Sequence, residues 1–153
     1  MKEYHQPIMA MAALLEREHK GRRVAKSVLT VLICEDNVDS ADTLALVVQG
    51  AGFEVIKTYS GLQAIAAAKK SKPKVALLDI GLPDLSGYEV AKAIRARASP
   101  QQTVLIAITG YGLDEYKKIA DQAGFNYYFT KPIDPAFLIR LLEAIRGTTD
   151  AEG

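Results

Sequence analysis

From Val28 onward, short apolar runs of strand length alternate with longer segments whose apolar residues recur at helical spacing, and the pair occurs five times. This alternation constrains the fold most, because parallel strands need a long crossover between them, so βαβ units are favoured over a meander or a helix bundle. The expected strands are Leu29 to Cys34, Glu54 to Tyr59, Val75 to Leu78, Val104 to Ile108 and Tyr127 to Thr130. Three are nearly unbroken apolar runs, as strands covered on both faces should be, and the more polar second strand reads as an edge. Leu44, Ala45 and Val48 share one face of a first helix, Val90 and Ile94 of a third, and Leu138, Leu141, Leu142 and Ile145 of a fifth. The second helix, around Ile65 to Lys70, and the fourth, around Tyr116 to Ala123, carry weaker patterns. Asp134 followed by Pro135 reads as an N-cap and first-turn pair, and Gly50 with Gly52 as the end of the first helix.

The chain divides into a head (1–27), this repeating body (28–147) and a short tail (148–153). At 153 residues, 49% of them hydrophobic, it has room for one domain with a sizeable core. The net charge of +1 gives no broad electrostatic reason to expect nucleic acid or an anionic membrane as the main partner. A single cysteine, Cys34, excludes an internal disulfide and fits a reducing compartment; with no secretory pattern and no run of transmembrane length, a cytoplasmic location is expected. In the head, Ile8, Met11 or Ala12, and Leu15 fall on one face of what reads as a short helix that would dock on a partner or a second subunit, with a plain linker as the alternative. The basic stretch from Lys20 to Lys26 reads most simply as a solvated linker, and His5 and His19 as exposed.

In an open parallel sheet, ligands sit outside the carboxyl ends of the strands, so the residue after each apolar run faces the site. After the first strand come Glu35 and Asp36, after the third Asp79, after the fourth Thr109, and after the fifth Lys131. Three carboxylates in one crevice repel each other unless a cation sits among them. Oxygen ligands without a nearby His or Cys favour magnesium or a similar hard ion such as manganese. Such a cation screens an acid from an incoming phosphoryl group, while Lys131 and the Thr109 hydroxyl hold its other oxygens. These are the requirements for phosphoryl transfer to a carboxylate.

On five signals in order, ICEDN, LLDIGLPDLSG, IAITG, the aromatic of YYFTKP and its Lys-Pro, the chain from about Val28 to Arg146 resembles the response-regulator receiver family of two-component signalling. The resemblance implies a five-stranded parallel sheet in the order 2-1-3-4-5 with helices on both faces, a flavodoxin-like, doubly wound α/β fold. It implies Asp79 as phosphoacceptor, Asp36, Asp79 and the Gly81 carbonyl as direct metal ligands, Glu35 as a ligand through water, and Lys131 as the phosphoryl clamp, aimed inward by a cis bond to Pro132. Thr109 and Tyr128 would form the switch pair, reshaping the surface of the fourth helix, fifth strand and fifth helix. The implied partners are a sensor histidine kinase or histidine phosphotransfer protein and a downstream protein target, with no nucleic-acid or membrane contact. LLDIGLP and AITGYG look most like receivers attached to hybrid sensor histidine kinases, so excision from such a protein is an alternative.

Two positions that tune phosphate lifetime in the family are distinctive: Gly81, without a side chain, and the bulky Tyr111. The acidic pair is Glu then Asp where many relatives carry two Asp. Each assignment has a plainer rival. Asp79 taken alone could cap a turn, Tyr128 could be a half-buried core aromatic, and Cys34 reads as a small core residue. An aspartate-nucleophile phosphatase of the haloacid-dehalogenase type needs a second acid two residues after the first, where this chain has Gly81. A nucleotide-binding enzyme needs a glycine-rich loop after the first strand, where this chain has EDNVD.

Overall fold

The computed structural model describes residues 28–97, 103–110 and 114–152. Within them, strands β1 (Thr30–Cys34), β2 (Glu54–Thr58), β3 (Val75–Asp79), β4 (Val104–Thr109) and β5 (Tyr127–Thr130) alternate with helices α1 (Val38–Gly50), α2 (Gly61–Ser71), α3 (Gly87–Arg95), α4 (Asp114–Ala123) and α5 (Pro135–Glu152). All strand pairs are parallel and the order is β2-β1-β3-β4-β5, the doubly wound, flavodoxin-like arrangement. β2 lies at an edge, in keeping with its polar sequence. The head, with its apolar cluster and basic stretch, and Tyr111 lie outside the described residues.

Strand alternation sends successive side chains to opposite faces, and each face is covered by its own helices. Val31, Ile33, Leu77, Ile106, Ile108 and Tyr127 pack with Ala45 and Val48 of α1 and Leu138, Leu141, Leu142 and Ile145 of α5. Leu32, Cys34, Ala76, Leu78, Leu105, Ala107 and Tyr128 pack with Ala64 and Ala68 of α2, Val90, Ala91 and Ile94 of α3, and Ala120 and Ala123 of α4. The second layer is rich in alanine.

Local caps set where the helices begin. Asn37 accepts from the Ser40 amide, Ser60 from the Gln63 amide, and Asp134 Oδ1 from the Ala136 amide. Ser86 and Glu89 form a reciprocal capping box at the start of α3. At the other end α5 continues to Glu152, through residues that the sequence pattern separates as a tail. No proline stops it, and the Thr148 hydroxyl donates back to the Ala144 carbonyl at 3.1 Å. β3 and β4 also run one residue further than expected. Asp79 stays in register with Ile108, and Thr109 with Thr130, so the polar terminal residues belong to the ladder itself.

The connection from β1 passes through α1 to β2, and the connection from β2 passes through α2 to β3 on the opposite side of β1. Strand order therefore reverses between β1 and β3, and the crevice at their carboxyl ends is the place where this topology presents a ligand site. Among the described residues, no helix is long and apolar enough to cross a membrane.

Candidate functional site

Glu35 and Asp36 follow β1, Asp79 ends β3, and one carboxylate oxygen from each lies within 4.8 Å of the others. Two adjacent parallel strands ending in acids bring this about without any long-range loop. Glu35 is 7% exposed, Asp79 is partly buried, and Asp36 is exposed. The acids therefore form a graded series from interior to solvent.

Lys131 follows β5 and reaches across β4's end to both inner acids. Its Nζ donates to Glu35 Oε1 at 2.8 Å and to Asp79 Oδ2 at 3.1 Å. Its own amide donates to the Thr109 carbonyl at 2.6 Å, and the bond to Pro132 is cis, as the resemblance implies. Partial burial works against the ammonium's charge. The hydrogen bonds to Glu35 and Asp79, together with their negative charges, outweigh it and hold the pKa above the ordinary lysine value. The Lys131 ammonium is thus charged at any physiological pH.

The remaining acid oxygens have different partners. Glu35 Oε2 accepts from the Asn37 amide at 3.2 Å, and Asp79 Oδ1 from the Gly81 amide at 3.2 Å. The donor set fits a hard divalent cation: three carboxylates, with no imidazole or reactive thiolate beside them among the described residues. Cys34 is close by, but burial pushes its thiol up to about 11, and its Sγ donates to the Ser60 carbonyl at 3.3 Å. It is a core residue, as its place in an apolar strand suggests.

Thr109 is fully buried at the end of β4. Tyr128, the other member of the expected switch pair, is 1% exposed, deeper than the half-buried position its plainer rival reading gives it. Its ring points into the layer formed with α2, α3 and α4, where Ala107, Ala120 and Ala123 leave room for it. Beside Gly81 the site is open, since nothing lies within 4 Å of where a Cβ would stand. Gly87 is the opposite case. A Cβ there would lie 2.5 Å from the Asp79 carbonyl oxygen and 2.8 Å from Ile80 Cα, so only glycine lets α3 begin against the end of β3.

Sequence reasoning misses two contributors. Asp84, in the loop after β3, accepts from the first two amides of α2, Gly61 at 2.7 Å and Leu62 at 2.8 Å. These bonds hold its carboxyl below the usual carboxylate range. The second is an apolar cavity of about 440 Å³ lined by α1, the loop after β5 and the start of α5. Leu44, Val47, Ile133 and Leu138 line it, and Glu35, Asp79 and Lys131 stand at its polar end. Neither shows in local periodicity, because both depend on which segments the sheet brings together.

The assembled geometry agrees with comparison to known proteins. Residues 31–143 match the family model for the response regulator receiver domain. The polar-differentiation response regulator DivK of Brucella ovis is 30% identical over 118 residues, covering 77% of this chain and 96% of that protein. A CheY-like response regulator receiver domain from Methanospirillum hungatei JF-1 superposes with a TM-score of 0.74 at 26% identity, covering 83% of this chain and 100% of the other. A putative response regulator from Chloroflexus aurantiacus J-10-fl gives a TM-score of 0.72 at 31% identity, covering 78% and 98%. With its fold, its strand-end acids and most of its length accounted for in this way, the chain belongs to the response regulator receiver domain family.

Proposed function

We propose that this receiver domain accepts a phosphoryl group on Asp79 and uses it to change a protein-binding surface. One observation carries the reading: Asp79, Asp36 and Glu35 meet at the end of the β1–β3 crevice, with the Lys131 ammonium held between two of them. In the reaction, a carboxylate oxygen of Asp79 attacks phosphorus. The P–N bond of a phosphohistidine donor breaks as the P–O bond forms, and the leaving imidazole keeps the bonding electron pair. Asp36, Asp79 and the Gly81 carbonyl would hold magnesium, with Glu35 acting through water, and the ion would supply charge neutralisation at the transferring group. Manganese can serve the same role.

Lys131 is positioned to exchange its bond to Asp79 for one to the incoming phosphoryl oxygens while Glu35 retains its other side. Thr109, at the end of the neighbouring strand, supplies a hydroxyl to a further oxygen. Movement of that hydroxyl would shift the balance between the inward Tyr128 ring and an outward rotamer, altering the surface made by α4, β5 and α5. The donor is a sensor histidine kinase or a histidine phosphotransfer protein, met in the cytoplasm, and the readout is a downstream protein. A phosphatase of the aspartate-nucleophile type fits less well, because Gly81 brings no second acid to the position where one is needed.

Intact-mass measurement with acetyl phosphate as donor tests this. One phosphoryl adduct is expected with magnesium and none with chelator. Adduct formation that is indifferent to the metal would contradict the assignment of the acid cluster.

A further inference from the structure

The loop between β3 and α3, residues 80–86, carries Gly81 beside the acceptor, and its two ends are tied to the chain around it. The Leu82 and Gly87 amides donate to the Ile80 carbonyl at 3.1 and 2.8 Å, and the Ser86–Glu89 box closes the far end. The stretch between, Pro83 to Leu85, finds its polar anchor elsewhere. Asp84 sends both carboxylate oxygens to the first turn of α2, Oδ1 to the Gly61 amide and Oδ2 to the Leu62 amide, across more than twenty residues of sequence. The contact is built on both sides. At Gly61 a Cβ would stand 2.9 Å from Leu85 Cβ and 3.2 Å from Asp84 Oδ1, so the absent side chain is what lets the loop sit on the helix. A negative carboxylate is also the group that two unpaired amides at a helix start favour most.

Ser60 already caps α2 in the ordinary way, through the Gln63 amide at 3.2 Å. The helix therefore has two caps, one from its own preceding residue and one from the phosphoacceptor loop. Only the second links the helix to the site.

We infer that Asp84 is a positioning residue for the phosphoacceptor site: by fastening loop 80–86 to the first turn of α2, it fixes Gly81 beside Asp79 and thereby sets the affinity of the acid cluster for a divalent cation. This rests on the proposed phosphoacceptor function for its cation, but the fastening itself can be measured without one. The Asp84 carboxylate bonds to the Gly61 and Leu62 amides of α2, and Asp84 is not one of the three clustered acids. It acts through the backbone of Gly81.

The test compares three substitutions in the full chain. Asp84→Ala removes both bonds, Asp84→Asn keeps a single acceptor oxygen, and Ser60→Ala removes the helix's own cap while leaving the loop tied. Backbone ¹⁵N relaxation of the metal-free proteins is recorded first. The order parameters of Gly81 and Leu82 should fall from near the rigid-backbone value of about 0.85 to below about 0.6 in Asp84→Ala, less in Asp84→Asn, and not at all in Ser60→Ala. Magnesium titration of the same samples should then show a roughly fivefold or greater rise in Kd for Asp84→Ala and none for Ser60→Ala, in line with the sensitivity of metal sites to the groups that support their ligands. Gly81 and Leu82 left rigid in Asp84→Ala, or loosened equally by Ser60→Ala, would overturn the inference. A wild-type protein that binds no magnesium contradicts the phosphoacceptor function itself, whereas wild-type affinity retained in Asp84→Ala contradicts only the positioning role of Asp84.

Discussion

Two cations tie distant parts of this sheet together, Lys131 at the carboxyl ends of the strands and Arg95 at the opposite end, and the acceptors described below for each differ in kind. Arg95 donates from Nε to the Gly124 carbonyl at 2.9 Å, from Nη1 to the Thr103 carbonyl at 2.7 Å, and from Nη2 to Asn126 Oδ1 at 2.6 Å. Asn126 Oδ1 also accepts from the Leu105 amide at 2.8 Å. These three acceptors are neutral and do not titrate. Burial pulls the Arg95 guanidinium's pKa down. Lys131 instead leans on two carboxylates, and in the proposed reaction one of them changes its chemistry. The difference separates a fixed bolt from a working contact: a cation with neutral acceptors holds a shape, whereas one with reactive acceptors must be able to let go.

Breaking the bolt should have the larger effect on folding. Arg95→Ala leaves the Gly124 and Thr103 carbonyls and part of Asn126 short of a donor, and should destabilise by about 2–4 kcal/mol in urea unfolding, with magnesium affinity of the folded protein unchanged. Gly124 sharpens the point. At φ +103°, with Arg95 Cγ 2.7 Å from where a Cβ would stand, Gly124→Ala should cost about 1–2 kcal/mol, and part of that cost should vanish when Arg95 is already Ala. Strict additivity of the two would mean that the crowding is not real.

Breaking the working contact should do the reverse. The Lys131 side chain is 39% exposed, so its ion pairs contribute little to stability, and Lys131→Ala should shift unfolding by no more than about 1 kcal/mol. Phosphorylation of that variant by acetyl phosphate should slow by roughly 10- to 100-fold, as expected for loss of a positioned donor to developing negative charge. A variant that is unstable yet labels at the wild-type rate would make Lys131 a second bolt.

The smallest effect concerns pH. Asp84 has its carboxyl held low by the Leu62 and Gly61 amides, so the folded form binds its proton less readily than the unfolded chain. Its contribution is therefore present above the unfolded-state value of about 3.9 and is lost as pH falls through the lower folded value. The stability gap between wild type and Asp84→Asn should narrow as pH drops below about 4. A gap that widens there would reverse the sign of the assignment.

The strand-end residues are legible in the sequence because local signals coincide with topology. An apolar run sets the strand, and the parallel alternation decides that its next residue faces the crevice, so Glu35, Asp36, Asp79, Thr109 and Lys131 follow from the order of residues alone. Asp134 and Pro135 likewise declare the start of α5 locally. Asp84 and Arg95 do not announce themselves, because their partners lie more than twenty residues away or on other elements, and nothing in PDLSG or AIRAR shows which backbone they will meet. Tyr128 is a third case. Alternation predicts its face, but its depth depends on the alanines of α4 opposite it. α5 runs on to Glu152, past Ile145, the last apolar residue of the face that the sequence shows.

The central claim is that Asp79 is the acceptor, and reductive mapping tests it most directly. Borohydride reduces an aspartyl phosphate to homoserine with release of phosphate, and tandem mass spectrometry of the digested protein, covering the peptide that spans Val75 to Glu89 and the one that carries Glu35 and Asp36, then locates the altered residue. After treatment with acetyl phosphate and magnesium, homoserine is expected at position 79, and no homoserine in the Asp79→Asn protein. An altered residue at position 36 or 35 in the wild type, or labelling that persists in Asp79→Asn, would contradict the account.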